Sequence, residues 1–156
     1  GSEPATDRYS ARSRTGWIIC LGGTPLLWKS QLQSCVTLST LEAEYVALSA
    51  ALCTVVWTKA MVLEVATAIG LDSNTTATIH ATVFEDNQGA YLLATKHRIS
   101  ARTKYFAVKY HWFHSLHDDG EFEIEKCATE DQRADYLTKG LVRFSFERNR
   151  TSTQGW

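Results

Sequence analysis

Trp17-Ile18-Ile19-Cys20-Leu21 is a short apolar run closed by Gly22-Gly23-Thr24-Pro25, and Leu26 to Gln33 then alternates. That pattern predicts a hairpin. Next come Leu41, Tyr45, Leu48, Leu52 and Val55, spaced by four, three, four and three, which is the apolar stripe of a helix. Ser39 or Thr40 can cap it, and Gly70 supplies the residue free to take positive φ that ends it after Ile69. A polar stretch at 72–76 precedes a strand predicted over 77–84, which ends at Glu85-Asp86-Asn87. Helices are predicted over 87–94 and 103–116. The alternation in 121–126 predicts a half-buried edge strand. Thr129 is placed as the cap of a short final helix with Glu130, Asp131, Asp135 and Lys139 on its polar face. From Leu141 onward no period stands out, although Leu141 to Phe146 alternates as a strand could. The order β-β-α-β-α-α-β-α, without repeat or linker, describes one domain, with 1–10 as scar and remnant, 11–150 folded and 151–156 as a flexible tail.

The 156 residues are 44% hydrophobic and 21% charged, with a net charge of −1. That is enough apolar material for a core and too balanced a charge for a globally basic nucleic-acid binder. No apolar run read from the pattern reaches a membrane span. No basic-then-apolar leader opens the chain, so a secreted protein is not expected. Gly1-Ser2 reads as a cloning scar. Cys20, Cys35, Cys53 and Cys127 form no CxxC pair or zinc spacing and are expected as buried free thiols of a reducing compartment. The charge is locally uneven. Residues 87–117 contain no acid but carry Lys96, Arg98, Arg102, Lys104 and Lys109, whereas 118–135 hold eight acids against Lys126 and Arg133. Two differing solvated faces are the plain reading, and a phosphate-tracking groove beside a cation site is the functional one.

Three carboxylates stand at unusual positions. Glu44 leans toward the buried stripe of its helix, between Leu41 and Leu48. Asp86 ends an apolar strand, where sites on sheets commonly open. Asp135 lies in Ala134-Asp135-Tyr136-Leu137-Thr138-Lys139, among apolar neighbours. Singly, each is explained as a flanking, capping or surface residue. Together they are a set of hard oxygen donors, separated by 42 and 49 residues, that only a fold could assemble. Such a set suits Mg²⁺, and a pair of such ions can activate water against a phosphodiester.

Several blocks occur in a fixed order: Thr15-Gly16-Trp17-Ile18-Ile19, Trp28-Lys29-Ser30, Leu38 to Ser49, Glu85-Asp86-Asn87, Arg102-Thr103-Lys104, Tyr110-His111 and Thr129 to Lys139. Over about residues 11 to 150 the chain resembles the ribonuclease H domain that ends the polymerase polyprotein of copia-type LTR retrotransposons. The resemblance implies an α/β (α+β) fold, a ribonuclease H-like mixed sheet flanked by helices. It also implies hydrolysis of the RNA strand of RNA–DNA hybrids with two Mg²⁺ ions, Mn²⁺ being an alternative. Carried over, Glu44, Asp86 and Asp135 match three of the family's four metal-binding acids. Arg102, Lys104 and Lys109 match a region expected near nucleic acid. The implied partners are the RNA–DNA hybrid and an upstream reverse transcriptase domain, with no membrane, in the cytoplasm or in virus-like particles. His111 is read as a packed helix residue.

The departures carry equal weight. The family's first acid follows a first, central strand upstream of the Thr-Gly-aromatic strand, and no such motif precedes Gly16. Neither Glu3 nor Asp7 follows an apolar strand. The sheet is therefore expected to lack or replace that strand, with activity impaired. A partner strand, a strand-swapped homodimer or the 141–146 segment could fill its place. After Lys104, Tyr105 and Ala107 stand where the family has a polar pair. The alternative function is a catalytically degraded ribonuclease H-like module that binds nucleic acid or a partner strand without cleavage.

Overall fold

A computed structural model describes residues 12–71, 79–96, 103–105 and 110–155. Strand β1 (Arg14–Leu21) pairs antiparallel with β2 (Thr24–Leu32). They are joined by Gly22 and Gly23, whose φ values of 57° and 84° fit the two-residue hairpin turn that needs positive φ twice. Helix α1 (Thr40–Ala68) follows, with Ser39 as its cap: the Glu42 backbone N–H donates to Ser39 Oγ at 3.2 Å. Glu42 in turn accepts from the Leu38 N–H at 2.9 Å. At the far end Gly70, at φ 76°, lets its own N–H reach Thr67 O and that of Leu71 reach Ala66 O, the paired bonds that close a helix C-terminus. By length and composition α1 is also apolar enough to cross a membrane, a longer apolar run than the pattern suggested. In this fold Tyr45, Leu48 and Leu52 of its N-terminal half are the centre of the core.

Strand β3 (Thr82–Glu85) is parallel to β4 (Glu123–Lys126). Between them lie α2 (Gln88–Lys96), a 3₁₀ turn (His111–Phe113) and α3 (His114–Asp118). Asn87 starts α2 by accepting the Ala90 N–H at 3.0 Å. Two further 3₁₀ turns (Thr129–Asp131 and Arg133–Leu137) lead to α4 (Arg143–Gln154). The architecture is mixed α/β and compatible with a ribonuclease H-like fold. Among the described residues the strands form two separate two-stranded sheets, β1-β2 and β3-β4. The core joins α1, α2 and the β3-β4 sheet through Tyr45, Leu52, Ala90, Phe113 and Ile124.

Several expectations are corrected. The strand predicted over 77–84 is confined to 82–85, and 77–78 lie outside the described residues. The predicted 103–116 helix is described only in part, ending as the 3₁₀ turn and α3. The helix capped by Thr129 is instead two 3₁₀ turns, because Gln132 at ψ 97° interrupts it. Residues 143–154, read as aperiodic and then as tail, form α4, so 141–146 is not a strand. The cysteines are free, yet Cys20 and Cys53 are exposed and Cys35 and Cys127 only part-buried. It is Val56, not Val55, that packs on the core; Val55 faces the space between the sheets.

Candidate metal and nucleic-acid site

The space between the two sheets is a cavity of about 690 Å³ lined by β1, β3, one flank of α1, residues 131–135 and Thr138. Glu44, Asp86 and Asp135 all line it, and so does Glu85. Each is brought there by a distinct local device. Glu44 sits in the second turn of α1, and the hairpin is docked beside it by buried Gln33, whose Nε2 donates to Thr15 Oγ1 at 3.1 Å and to Ala43 O at 2.9 Å. Asp86 leaves the end of β3 between Glu85 and the cap residue Asn87, with the Asn87 N–H donating to Glu85 Oε1 at 2.9 Å. Lys126 Nζ donates to the Asp86 carbonyl at 3.2 Å.

Asp135 rides on a segment that bridges both sheets. On one side Gln132 Nε2 donates to Phe84 O at 3.1 Å. On the other, Ser30 Oγ donates to Leu137 O at 2.7 Å, and Gly16 meets Thr138 so closely that a Cβ there would lie 2.6 Å from Thr138 Cγ2 and 3.1 Å from the Leu137 carbonyl carbon. The methyl end can give, but the Leu137 backbone cannot without moving Asp135. Gly16→Ala is therefore expected to cost about 1–3 kcal/mol in denaturant melts, with a shift of the Asp135 backbone resonance. An unchanged Asp135 environment would contradict this packing.

The electrostatics reflect the assembly. Burial, then the charges of Asp86 and Asp135, push Glu44 above the usual carboxylate range, with Lys139 opposing them. Burial pushes Glu85 up to about 8, helped by Glu44 and Asp86 and opposed by the Asn87 N–H and Lys126. Lys139 Nζ lies 2.8 Å from Asp135 Oδ2, so an ammonium already neutralises one carboxylate. Among the described residues no group of three or more His, Cys, Asp or Glu side chains is placed to hold a metal ion. The oxygen donors are of the kind a hard divalent cation takes, and Glu44 carries repulsion from Asp86 and Asp135, offset only in part by Lys139, that such a cation would relieve. Lys139 competes for the same charge. A half-exposed pair of this kind is worth ~0.5–1 kcal/mol, so Lys139→Gln is expected to tighten Mg²⁺ binding about 2–5-fold, read by Mn²⁺ competition. Weaker binding in the variant would mean that Lys139 positions Asp135 instead of competing.

Of the basic residues, Lys104 is exposed, while Arg102 and Lys109 lie outside the described residues. His111 is a packed residue: its Nδ1 is 2.6 Å from the phenol of Tyr45 and 2.8 Å from His114 Nε2. Burial pushes the Tyr45 phenol up, so it stays a donor. Sequence reading missed Glu85, Gln33 and Gln132. For Glu85 a signal existed: it alternates with Val83 and so shares its inward face.

Comparison with known proteins bears on the origin of the chain and not on this chemistry. The chain is 34% identical, over 94% of its length, to the retrovirus-related Pol polyprotein from transposon TNT 1-94 of Nicotiana tabacum. It is 29% and 31% identical, over 92% and 91%, to those from transposons RE1 and RE2 of Arabidopsis thaliana. Its homologues are copia-type retrotransposon Pol polyproteins. The chain spans about a tenth of the length of these relatives. No protein-family model and no solved structure matches it.

Proposed function

We propose that this chain is a ribonuclease H-type domain of a retrotransposon Pol polyprotein, acting inside the cell on the RNA strand of RNA–DNA hybrids. The observation that carries the reading is the convergence of Glu44, Asp86 and Asp135 on one cavity, close enough for Asp86 and Asp135 to raise the Glu44 pKa. The Pol homology supports it. Glu44, Asp86 and Asp135 would hold Mg²⁺ or Mn²⁺, which supplies an activated water and charge stabilisation at the scissile phosphate. The chain's own work is positional. Gln33 fixes the hairpin against the Glu44 turn. Gln132, Ser30 and Gly16 pin the Asp135 segment across the two sheets. Lys104 offers positive charge to the backbone of a hybrid, which is recognised by shape, phosphates and 2′-hydroxyls.

A second reading, a module that binds a hybrid or a partner strand without cleaving it, is favoured because no three carboxylates among the described residues are already placed to hold a metal ion and because Lys139 is paired with Asp135. A panel of labelled substrates tests the first. With Mg²⁺ the RNA strand of a hybrid is expected to be cut, while single-stranded RNA, duplex RNA and duplex DNA remain intact. Salt-sensitive hybrid binding without cleavage would transfer the domain to the second reading.

A further inference from the structure

We infer that the outer face of the C-terminal half of α1 is a docking surface for another part of the Pol polyprotein, which covers it with apolar side chains and sets a basic group against Glu64. The inference rests on the Pol homology and on the surface of α1, not on the hydrolase reading.

Helix α1 has three faces. At about 100° per residue, Tyr45, Leu48, Leu52 and Val56 form the one that packs into the core. Ala51, Val55, Thr58 and Val62 form the one that lines the cavity. The third, turned about 130° from each of these, carries Cys53, Trp57, Met61, Glu64 and Ala68 at spacings of four, four, three and four. All five are exposed, Trp57 to 74% and Met61 to 49%. A helix face that meets water is ordinarily the charged one, yet this stripe holds a single charge, Glu64. No residue of α1 beyond Thr58 is buried, so the core does not account for the apolar side chains there.

Singly exposed apolar side chains are ordinary, but a contiguous stripe of them marks a contact surface. This one runs about 22 Å along the helix from Cys53 to Ala68. Beside it lies a groove of about 280 Å³ whose lining includes Val56, Ala60, Leu63, Leu116 and Phe122, a socket for an apolar anchor. Lys59, the only basic residue of α1, is held by Glu121 at 2.7 Å, and Glu64 has no ion-pair partner among the described residues. A second copy of the same face is a poor occupant. An antiparallel pairing of two such stripes sets each Glu64 against apolar side chains of the other copy and brings a cation to neither, so two charges are desolvated. The rest of the polyprotein carries no such restriction. The chain spans about a tenth of each relative, and a neighbour on the same polypeptide acts at high effective concentration.

The test compares the chain alone with the tobacco polyprotein in which this chain replaces the matched region. Neither metal nor nucleic acid is added, so that failure of the hydrolase reading leaves the result untouched. Hydroxyl-radical oxidation of Trp57 and Met61 is read by mass spectrometry, Met61 being the chain's only methionine. Both are expected to react about tenfold or more slowly in the polyprotein, as side chains in a dry interface core do. Met61→Lys is expected to leave the melting temperature of the chain alone unchanged, because the side chain is exposed, and to return Trp57 in the polyprotein to its rate in the free chain. Should that variant unfold, Ala68→Lys makes the same comparison. The proposal is overturned if Trp57 and Met61 react at equal rates in both proteins, if the lysine variant leaves Trp57 protected, or if the same protection arises in the chain alone as its concentration is raised.

Discussion

Glu44→Gln is expected to raise the melting temperature in EDTA and to abolish the further rise that Mg²⁺ gives the parent. The two effects have opposite signs because they probe one charge in two states. Without a cation, the Glu44 carboxylate is part-buried beside Asp86 and Asp135, and its raised pKa records that the ionised form is disfavoured there. A neutral amide of the same shape removes that repulsion. With a cation, the same carboxylate becomes a ligand. Loss of groups that merely orient a metal ligand costs about 10–100-fold in affinity, so loss of a ligand should cost at least about 100-fold. A parent held at ten times its Kd gains about 1.4 kcal/mol from the metal, and the variant should gain almost none. Melts of both proteins with and without Mg²⁺ decide it. A variant that keeps the full Mg²⁺ shift would remove Glu44 from the site.

Glu85→Gln is expected to flatten the pH dependence of stability between about pH 4.5 and 8. Glu85 is 6% exposed, and burial raises its pKa from 4.5 to about 8. Below 4.5 the carboxyl is protonated in the folded and unfolded chain alike, and its contribution is fully present. Between the two values the unfolded chain releases the proton while the fold retains it. Stability therefore falls as pH rises, with a slope approaching about 1.4 kcal/mol per pH unit from this group. Above 8 the loss is complete. Glutamine keeps the hydrogen-bonding shape without the ionisation, so the variant should overtake the parent at pH 8 and match it near pH 4. Urea titrations at a series of pH values measure this directly, and parallel parent and variant curves would refute it.

The parts of the fold legible in the sequence are those set by local chemistry. Ser39 and Gly70 mark the ends of α1 because a cap oxygen and a positive φ are requirements of single residues. Gly22-Gly23 marks the hairpin for the same reason. Helix α4 was not legible. Its start has no capping side chain at Val142, and Phe144 and Phe146 mimic strand alternation. Its local conformation is decided by packing, with Tyr136 edge-on to Phe146 at 5.9 Å and Asn149 and Thr153 buried. The turns at 129–137 likewise obey tertiary contacts to Phe84, Ser30 and Gly16 over any local period. At the site, Glu44, Asp86 and Asp135 could be named because each is a carboxylate in an apolar context. Gln33 and Gln132 are ordinary polar residues until the partners they bridge are in place. The separation of β1-β2 from β3-β4, with an unpaired edge on each, agrees with the expectation of a missing central strand, whereas the residues that line the cavity between them are legible only in the assembled structure.

The most direct test of the ribonuclease H reading is cleavage of a labelled RNA–DNA hybrid with Mg²⁺ and with Mn²⁺, comparing the parent with Asp135→Asn purified in parallel to control for host enzyme. The account predicts slow cleavage confined to the RNA strand in the parent and none in the variant. Equal cleavage by both, or hybrid bound by the parent and left intact with either metal, would contradict it.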